Sequence, residues 1–372
     1  MRTNQLRIID EFTNLVAIDS PSYAERQAGD YIKKKLTALG LVVVEDDAGE
    51  KIGGNCGNIY GYLEGDLDLE PILFCAHLDT VEPAHGKEAV IDADGVIHSR
   101  GNTVLGADDL AGVTAILEAL TVLTEHKLSH RPIEVLFTVA EEVYCRGSAE
   151  FDFTKVLSRE AYVLDLAGRV GTAAYMAPSI LSFAATIRGR ASHAGFAPQK
   201  GIHAIAVAAD AISMLPMGRV DDETTLNVGM IKGGLATNIV PDHCVVRGEV
   251  RSLCHEKASR HAELVKKQFE RSASAAHATL EFDLKTVSVA YETPLGSPVV
   301  KRFENACNTL GLPVSLVKTF GGSDNNIMAQ SGLIGLVVAN AMNRCHACDE
   351  FTTTEELERA AELTLALMTD DR

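Results

Sequence analysis

Five short segments of the chain concentrate side chains that bind metals or move protons: Phe74-Cys-Ala-His77-Leu-Asp79, Leu105-Gly-Ala-Asp108-Asp109, Thr138-Val-Ala-Glu141-Glu142, Tyr162-Val-Leu-Asp165 and Arg344-Cys-His346-Ala-Cys-Asp349-Glu350. His77 and Asp79 are two residues apart, so at a strand end they point the same way, and Asp79 can hydrogen-bond the imidazole nitrogen that a metal leaves free. Glu141 and Glu142 are adjacent and diverge, which suits one carboxylate to a metal and the other to taking a proton from water. Gathered in one partly dry cleft, Asp79, Asp108, Glu141, Glu142 and Asp165 could not all stay ionised without cations. Two Zn2+ ions would neutralise them, and His and carboxylate ligands suit zinc. A metal pair about 3.5–4 Å apart polarises a carbonyl and makes hydroxide available near neutral pH, so amide hydrolysis is the reaction such a site predicts. Taken singly, each segment has a plainer reading: a structural His-x-Asp, an acid pair capping a helix, a solvated Glu-Glu at a strand exit. Their order and shared context favour the site.

That context is an α/β chain. Helix-period runs near 5–17 and 24–39 alternate with strand-like runs at 41–45, 58–63 and 71–76. The segments 71–76 and 133–140 are apolar along their length, as central strands covered on both faces should be. Leu110, Val113, Leu117, Leu120 and Leu123 recur at helical spacing, which puts Asp108 and Asp109 at a helix N-terminus, where the dipole favours anions. Four of the five segments follow an apolar strand, and ligands of open α/β sheets sit at the carboxyl ends of strands. Near residue 178 the pattern changes to β-α-β-β-α-β: strand 182–189, helix 202–214, strands 224–231 and 243–251, helix 256–275, strand 279–289. The α/β style then resumes with a helix near 297–310, an apolar run at 333–338 and a closing helix near 354–369. The expected organisation is an α/β/α catalytic domain made of 1–178 and 291–372, interrupted by a ferredoxin-like α+β domain at 179–290.

The ordered motifs and the inserted domain resemble the M20 family of di-zinc peptidases over nearly the whole chain, and within it the peptidase T-like branch. The resemblance implies a zinc-exopeptidase-like catalytic fold with two zinc ions per chain, one held by His77 and Asp165, the other by Glu142 and His346, with Asp108 bridging. It further implies a cis peptide between Asp108 and Asp109, Glu141 as general base, Asp79 as the residue that orients His77, and an inserted domain used for dimerisation or as a lid. Gly189-Arg-Ala-Ser-His193-Ala-Gly matches the family segment whose histidine helps stabilise the oxyanion. Asn238, Arg251, and Gly322 and Ser323 in Gly321-Gly-Ser-Asp324 match segments that line the family's substrate cleft. An arginine on a strand is equally suited to a surface ion pair. The chain departs from the family at Leu110, where Lys is common, and at Val143-Tyr-Cys-Arg146, where a Gly is usual. It departs again at Phe320, where tripeptidases carry Arg, and in the thiols Cys345 and Cys348 around His346. These thiols could be alternative zinc ligands or oxidation-sensitive neighbours, and buried small hydrophobes is the simpler reading. The tripeptidase specificity is therefore not carried over.

Composition narrows the partners. The 372 residues carry a formal charge of −17 and no Lys/Arg-rich block, which disfavours nucleic acid and anionic membranes. No secretory h-region or continuous apolar span is read, and eight scattered cysteines suit a reducing compartment, so a cytoplasmic protein is expected. The leading expectation is a metallohydrolase cleaving short peptides in an aminopeptidase-like manner, by metal-bound hydroxide with Glu141 as base, and working as a homodimer. An N-acyl-amino-acid deacylase or carboxypeptidase on the same metal core is the alternative, and an inactive dimeric peptide-binding scaffold is the alternative of another class.

Overall fold

The computed structural model describes residues 3–369, which form two compact units. The first comprises the described residues up to Tyr175, Glu292–Lys318 and those from Ser323 onward; the second comprises Met176–Tyr291 and Thr319–Gly322. In chain order the first unit begins with α1 (Gln5–Val16), α2 (Arg26–Ala38), β1 (Val42–Glu45), α3 (Ala48–Ile52), β2 (Ile59–Leu63) and β3 (Ile72–His77). It continues with β4 (Ala89–Ile91), β5 (Val96–Ser99), α4 (Ala107–His126), β6 (Ile133–Thr138), α5 (Arg146–Ala149), β7 (Glu160–Leu166) and β8 (Thr172–Ala177). The second unit contributes β9 (Ser179–Arg188), α6 (Ala204–Ser213), β10 (Gly218–Asp221), β11 (Thr224–Gly233), β12 (His243–Ser252), α7 (His255–Ala275) and β13 (Thr279–Ser288). After β14 (Tyr291–Glu292) the chain forms α8 (Pro298–Leu310), β15 (Ser315–Lys318), α9 (Asp324–Gln330), β16 (Ile334–Ala339), β17 (Phe351–Thr353) and α10 (Thr354–Thr369).

The main sheet of the first unit runs β1-β2-β6-β3-β7-β16-β8. Its central strands β6, β3, β7 and β16 are parallel, and β1, β2 and β8 pair antiparallel at the flanks. Every residue of β3 and β6 is buried, which explains their unbroken apolar character. Alternate residues Phe74 and Ala76, Val135 and Phe137, Tyr162 and Leu164, Leu336 and Val338 join one hydrophobic cluster with side chains of α1, α2, α4, α8 and α10. The opposite parity faces α5 and α9, where Thr138 Oγ1 and Ser148 Oγ donate to the Asp324 carboxylate at 2.5 Å each. Helix α4 is buried almost all round from Ala107 to Leu123, so its sequence lacks a polar face. Gly112 lets α4 approach the sheet: a Cβ there would stand 2.5 Å from the Leu164 carbonyl oxygen and 2.4 Å from Asp109 Oδ1.

The second unit is an antiparallel sheet, β10-β11-β12-β9-β13, with α6 and α7 packed on it. Without β10 its strand order is that of a ferredoxin-like fold, and β10 adds an edge strand that the sequence reading lacked. At four residues, β10 is too short and too exposed for its apolar alternation to register. Among the described residues, no helix is long and apolar enough to cross a membrane.

Candidate metal centre

The parallel strands deliver the site. His77 closes β3 and lies in register with Thr138 at the end of β6, three residues before Glu141. Cys75 pairs with Val163 of β7, so Asp165 stands two residues further on, level with His77. The chain leaving β16 runs through Asn340 to the turn that carries His346.

Asp108 holds the centre of this group. Its Oδ1 lies 3.0 Å from His77 Nε2 and its Oδ2 3.3 Å from His346 Nε2, so one carboxylate faces two histidines from opposite ends of the sequence. His346 Nε2 is also 2.8 Å from Glu142 Oε2. Ligand atoms of His77, Asp108 and Glu142 lie within 4.8 Å of one another, and so do those of His77, Glu141 and Asp165. His77 Nδ1 is 2.8 Å from the Asp79 carbonyl oxygen and 3.5 Å from Asp79 Oδ1. A carbonyl only accepts, so Nδ1 carries a proton, which leaves Nε2, facing Asp108, as the ring nitrogen a cation could take. The sequence reading had the Asp79 carboxylate on this nitrogen; the nearer partner is its backbone oxygen. The carboxylate itself accepts the N–H groups of Glu141 (2.9 Å) and Glu142 (3.2 Å) and the Ser22 hydroxyl (2.7 Å), tying the β6 exit to the end of β3.

The Asp108–Asp109 peptide is cis. Asp108 is not helical, at φ −81° and ψ 100°, and neither is Asp109. The two carboxylates part company: Asp109 turns inward, accepting the His77 N–H at 3.0 Å and the side-chain amide of Asn340. Glu350 clamps the same loop, its two oxygens accepting the N–H groups of Gly106 (2.7 Å) and Asp108 (2.9 Å). Sequence reasoning assigned no such duty to Asp109, Asn340 or Glu350. The available signal was the Asp-Glu pair right after His346, a buried acid beside a ligand.

The electrostatics are those of a centre short of positive charge. Burial raises Glu141, Asp165 and Asp109 well above the carboxylate range, and Glu142 is raised by the same cause. Burial would lower His77, but Asp108 and Asp79 reverse this and hold it well above an ordinary imidazole. His346 is pushed up to about 10 by Asp108 and Glu142. Glu142 Oε1 is buried without any hydrogen-bond partner. An orphaned carboxylate oxygen among His and Asp ligand atoms, all bunched within coordination distance, fits a divalent cation. Neither thiol beside His346 joins these clusters: Cys345 is half-buried against the hydrophobic core and Cys348 is exposed. Cys345 packs against the core but its thiol also reaches the Asp108 carboxylate, and Cys348 is exposed, so neither thiol is simply a buried hydrophobe.

Behind the centre, Glu25 is fully buried; its Oε1 accepts the N–H groups of Tyr23 (2.8 Å) and Ala140 (3.0 Å), and its Oε2 has no partner. Burial, with Asp79 nearby, pushes Glu25 up to about 7. Above that pH the folded state carries an ionised carboxylate that the unfolded state, titrating near 4.5, solvates better; the penalty fades as pH falls from 7 to 4.5. Glu25→Gln keeps the acceptor and removes the charge. In metal-free protein it is expected to add about 3 kcal/mol of stability at pH 8 and almost nothing near pH 4.5. Urea melts at both pH values check this, and an equal effect at the two would contradict it.

The other expected site residues lie elsewhere. His193 and Asn238 are exposed in the second unit, where the Ala194 N–H donates to the Asn238 carbonyl (2.9 Å) and His193 bridges Ile239. Arg251, also there, is held by Glu249 at 2.7 and 3.2 Å and donates to the Phe320 carbonyl at 2.9 Å. Gly322 closes the short segment of that unit that includes Phe320, over whose ring the Arg219 guanidinium lies at 4.3 Å. Ser323 belongs to the first unit, buried at the N-cap of α9.

Comparison with known proteins agrees with this picture. The profile of the M20 peptidase dimerisation domain matches residues 175–287, and that of peptidase family M28 matches residues 58–176, the stretch from β2 through Asp165. Over 98% of both chains the sequence is 36% identical to the uncharacterized protein YqjE of Bacillus subtilis (strain 168). The crystal structure of aminopeptidase PepT from Bacillus cereus ATCC 10987 superposes with a TM-score of 0.91 at 37% identity, covering 99% of this chain and 98% of that one. A tripeptidase from Staphylococcus aureus subsp. aureus Mu50 gives a TM-score of 0.96 at 31% identity over 99% of both chains. An α/β/α sheet with a His–carboxylate centre at its strand ends, interrupted by a peptidase dimerisation domain, makes this a metallopeptidase acting on peptides. The chain belongs to the M20 peptidase family, in its peptidase T-like branch.

Proposed function

We propose that the protein is a di-zinc aminopeptidase acting on short peptides, with His77 and Asp165 on one ion, Glu142 and His346 on the other, and Asp108 shared between them. The observation that carries this reading is the Asp108 carboxylate, which offers one oxygen toward His77 and the other toward His346. Two bound cations would supply Lewis acidity for the scissile carbonyl and lower the pKa of water. The remaining work falls to the chain. Glu141, adjacent to the ligand Glu142 but diverging from it, takes the proton from the attacking water and delivers it to the leaving amine. The Asp79 backbone carbonyl holds the His77 tautomer, and its carboxylate holds the backbone of Glu141 and Glu142.

His193 is a further catalytic candidate. Its Nδ1 accepts the N–H groups of Gly195 and Phe196, both at 3.1 Å, so in the neutral ring the proton sits on Nε2, which becomes a hydrogen-bond donor suited to an oxyanion. His193→Ala is expected to lower kcat by about 10²-fold with metal content unchanged; equal loss of zinc, measured by elemental analysis, would count against the role. Asn238, Arg251, Gly322 and Ser323 are proposed as contributors to substrate binding. The catalytic domain is proposed to span 1–178 and 291–372, and 179–290 to serve dimerisation, as the match to the dimerisation-domain profile supports. All eight cysteines are free, in keeping with a cytoplasmic protein.

The names of the relatives, an aminopeptidase and a tripeptidase, support peptide rather than acyl-amino-acid substrates. The test is a panel of free-amine di- and tripeptides alongside their N-acetylated forms, assayed with zinc supplied. Release of the N-terminal residue from the free peptides alone is the expected result. Turnover confined to N-acylated substrates would replace this reading with a deacylase.

A further inference from the structure

We propose that Cys145 is a positioning residue for Glu141, its thiol donating a hydrogen bond that fixes the carboxylate in place for proton transfer. The inference rests on Glu141 being the general base and names what holds it. Cys145 Sγ lies 3.1 Å from Glu141 Oε1. Among the described residues no other side chain donates to that carboxylate; the Glu141 N–H bond to Asp79 fixes only the backbone.

The local backbone is built to bring the thiol there. The Cys145 N–H returns to the Glu141 carbonyl at 2.7 Å, Arg146 N–H to Ala140 at 2.9 Å and Gly147 N–H to Val139 at 3.1 Å, so the loop folds back on the strand exit. To make that return, Ala140, Tyr144 and Cys145 adopt left-handed φ values of 52°, 75° and 51°, a conformation that side-chain-bearing residues disfavour and the surrounding structure must impose.

A second carboxylate makes the thiol necessary. Ligand atoms of Glu141, Cys145 and Asp324 lie within 4.8 Å of one another. Asp324 is buried, and its two oxygens are taken by the Ser148 and Thr138 hydroxyls, so it offers Glu141 repulsion and no donor. The Cys145 thiol is the one neutral donor in that trio. Burial raises its pKa well above that of a free thiol, which keeps the proton on sulfur. A thiol is also a weak donor, so it can orient a carboxylate without taking much of its basicity.

The test compares Cys145→Ala, Cys145→Ser and Glu141→Gln, singly and with Glu141→Gln combined with Cys145→Ala, on zinc-loaded enzyme with a dipeptide substrate and with zinc content measured for each. Cys145→Ala should lower kcat about tenfold with KM within about twofold and zinc retained, and Cys145→Ser, which restores a donor, should regain most of the loss. In the Glu141→Gln background Cys145→Ala should cost nothing further, because the residue acts through Glu141. A Cys145→Ala enzyme as active as wild type, while Glu141→Gln is inactive, would overturn the positioning role and leave the base intact. Equal losses in the Ala and Ser variants, or zinc lost from Cys145→Ala, would make the residue a packing element and also overturn it. An active Glu141→Gln enzyme would remove the base reading itself.

Discussion

Glu141→Gln should lower kcat by about 10²–10⁴-fold while the protein keeps its fold and its zinc, because the amide cannot accept a proton from water yet preserves size and polarity. The expectation follows from the divergence of two adjacent glutamates. Glu142 Oε2 faces His346 at 2.8 Å, whereas Glu141 lies among His77, Asp165, Asp324 and the Cys145 thiol. Their backbone N–H groups both end on Asp79, so removing one carboxylate leaves the other anchored. A change confined to kcat, with KM and zinc stoichiometry near wild type, is the predicted signature, read from steady-state kinetics and elemental analysis on the same preparation. A Glu141→Gln enzyme that had lost its metal would reassign Glu141 to the ligand set.

Asp108→Ala should be more damaging, since it removes the carboxylate shared by both histidines. Loss of both metal ions is expected, and with them several kcal/mol of transition-state stabilisation, a fall in kcat/KM on the order of 10³-fold or more. Stability gives an independent reading. Zinc at about a hundred times its dissociation constant should stabilise the wild-type fold by about 2.7 kcal/mol, visible as a concentration-dependent rise in Tm. The Asp108→Ala protein should show no such rise. A variant that still binds one zinc per chain tightly would indicate two independent sites in place of a bridged pair.

The central strands were legible because burial on both faces leaves unbroken apolar runs in β3 and β6, and the long helices because α1, α7 and α8 present one apolar face each. The short strands β4, β5 and β10 carry three or four residues apiece, too few for a period to stand out. The residues proposed as metal ligands stood out for a related reason: a His or acid at the exit of a fully buried strand has few structural uses. Their supports were not. Glu350 and Asp108 are separated by 242 residues, and Asn340 and Asp109 by 231; nothing local marks one end as the partner of the other. Glu25 reads as an ordinary acid at the start of a helix until the fold buries it with its carboxylate on the Ala140 N–H. For Asp79 the type was informative and the atom was not, because the turn after β3 brings its carbonyl closer to His77 than its carboxylate.

The second unit illustrates the same limit. Its β-α-β-β-α-β pattern could be read from periodicity, yet whether a strand residue such as Arg251 points to a ligand or to a neighbour depends on side-chain geometry. Here Glu249, two residues along the same strand and on the same face, already pairs with it.

The central claim is that this metallopeptidase works with two metal ions bridged by Asp108. Elemental analysis of the protein, purified and equilibrated with zinc, tests it most directly, with hydrolysis of a di- and tripeptide panel followed on the same sample. The account predicts two zinc ions per chain, both lost in Asp108→Ala together with turnover. One ion or none in a wild-type enzyme that nevertheless cleaves the peptides would contradict it.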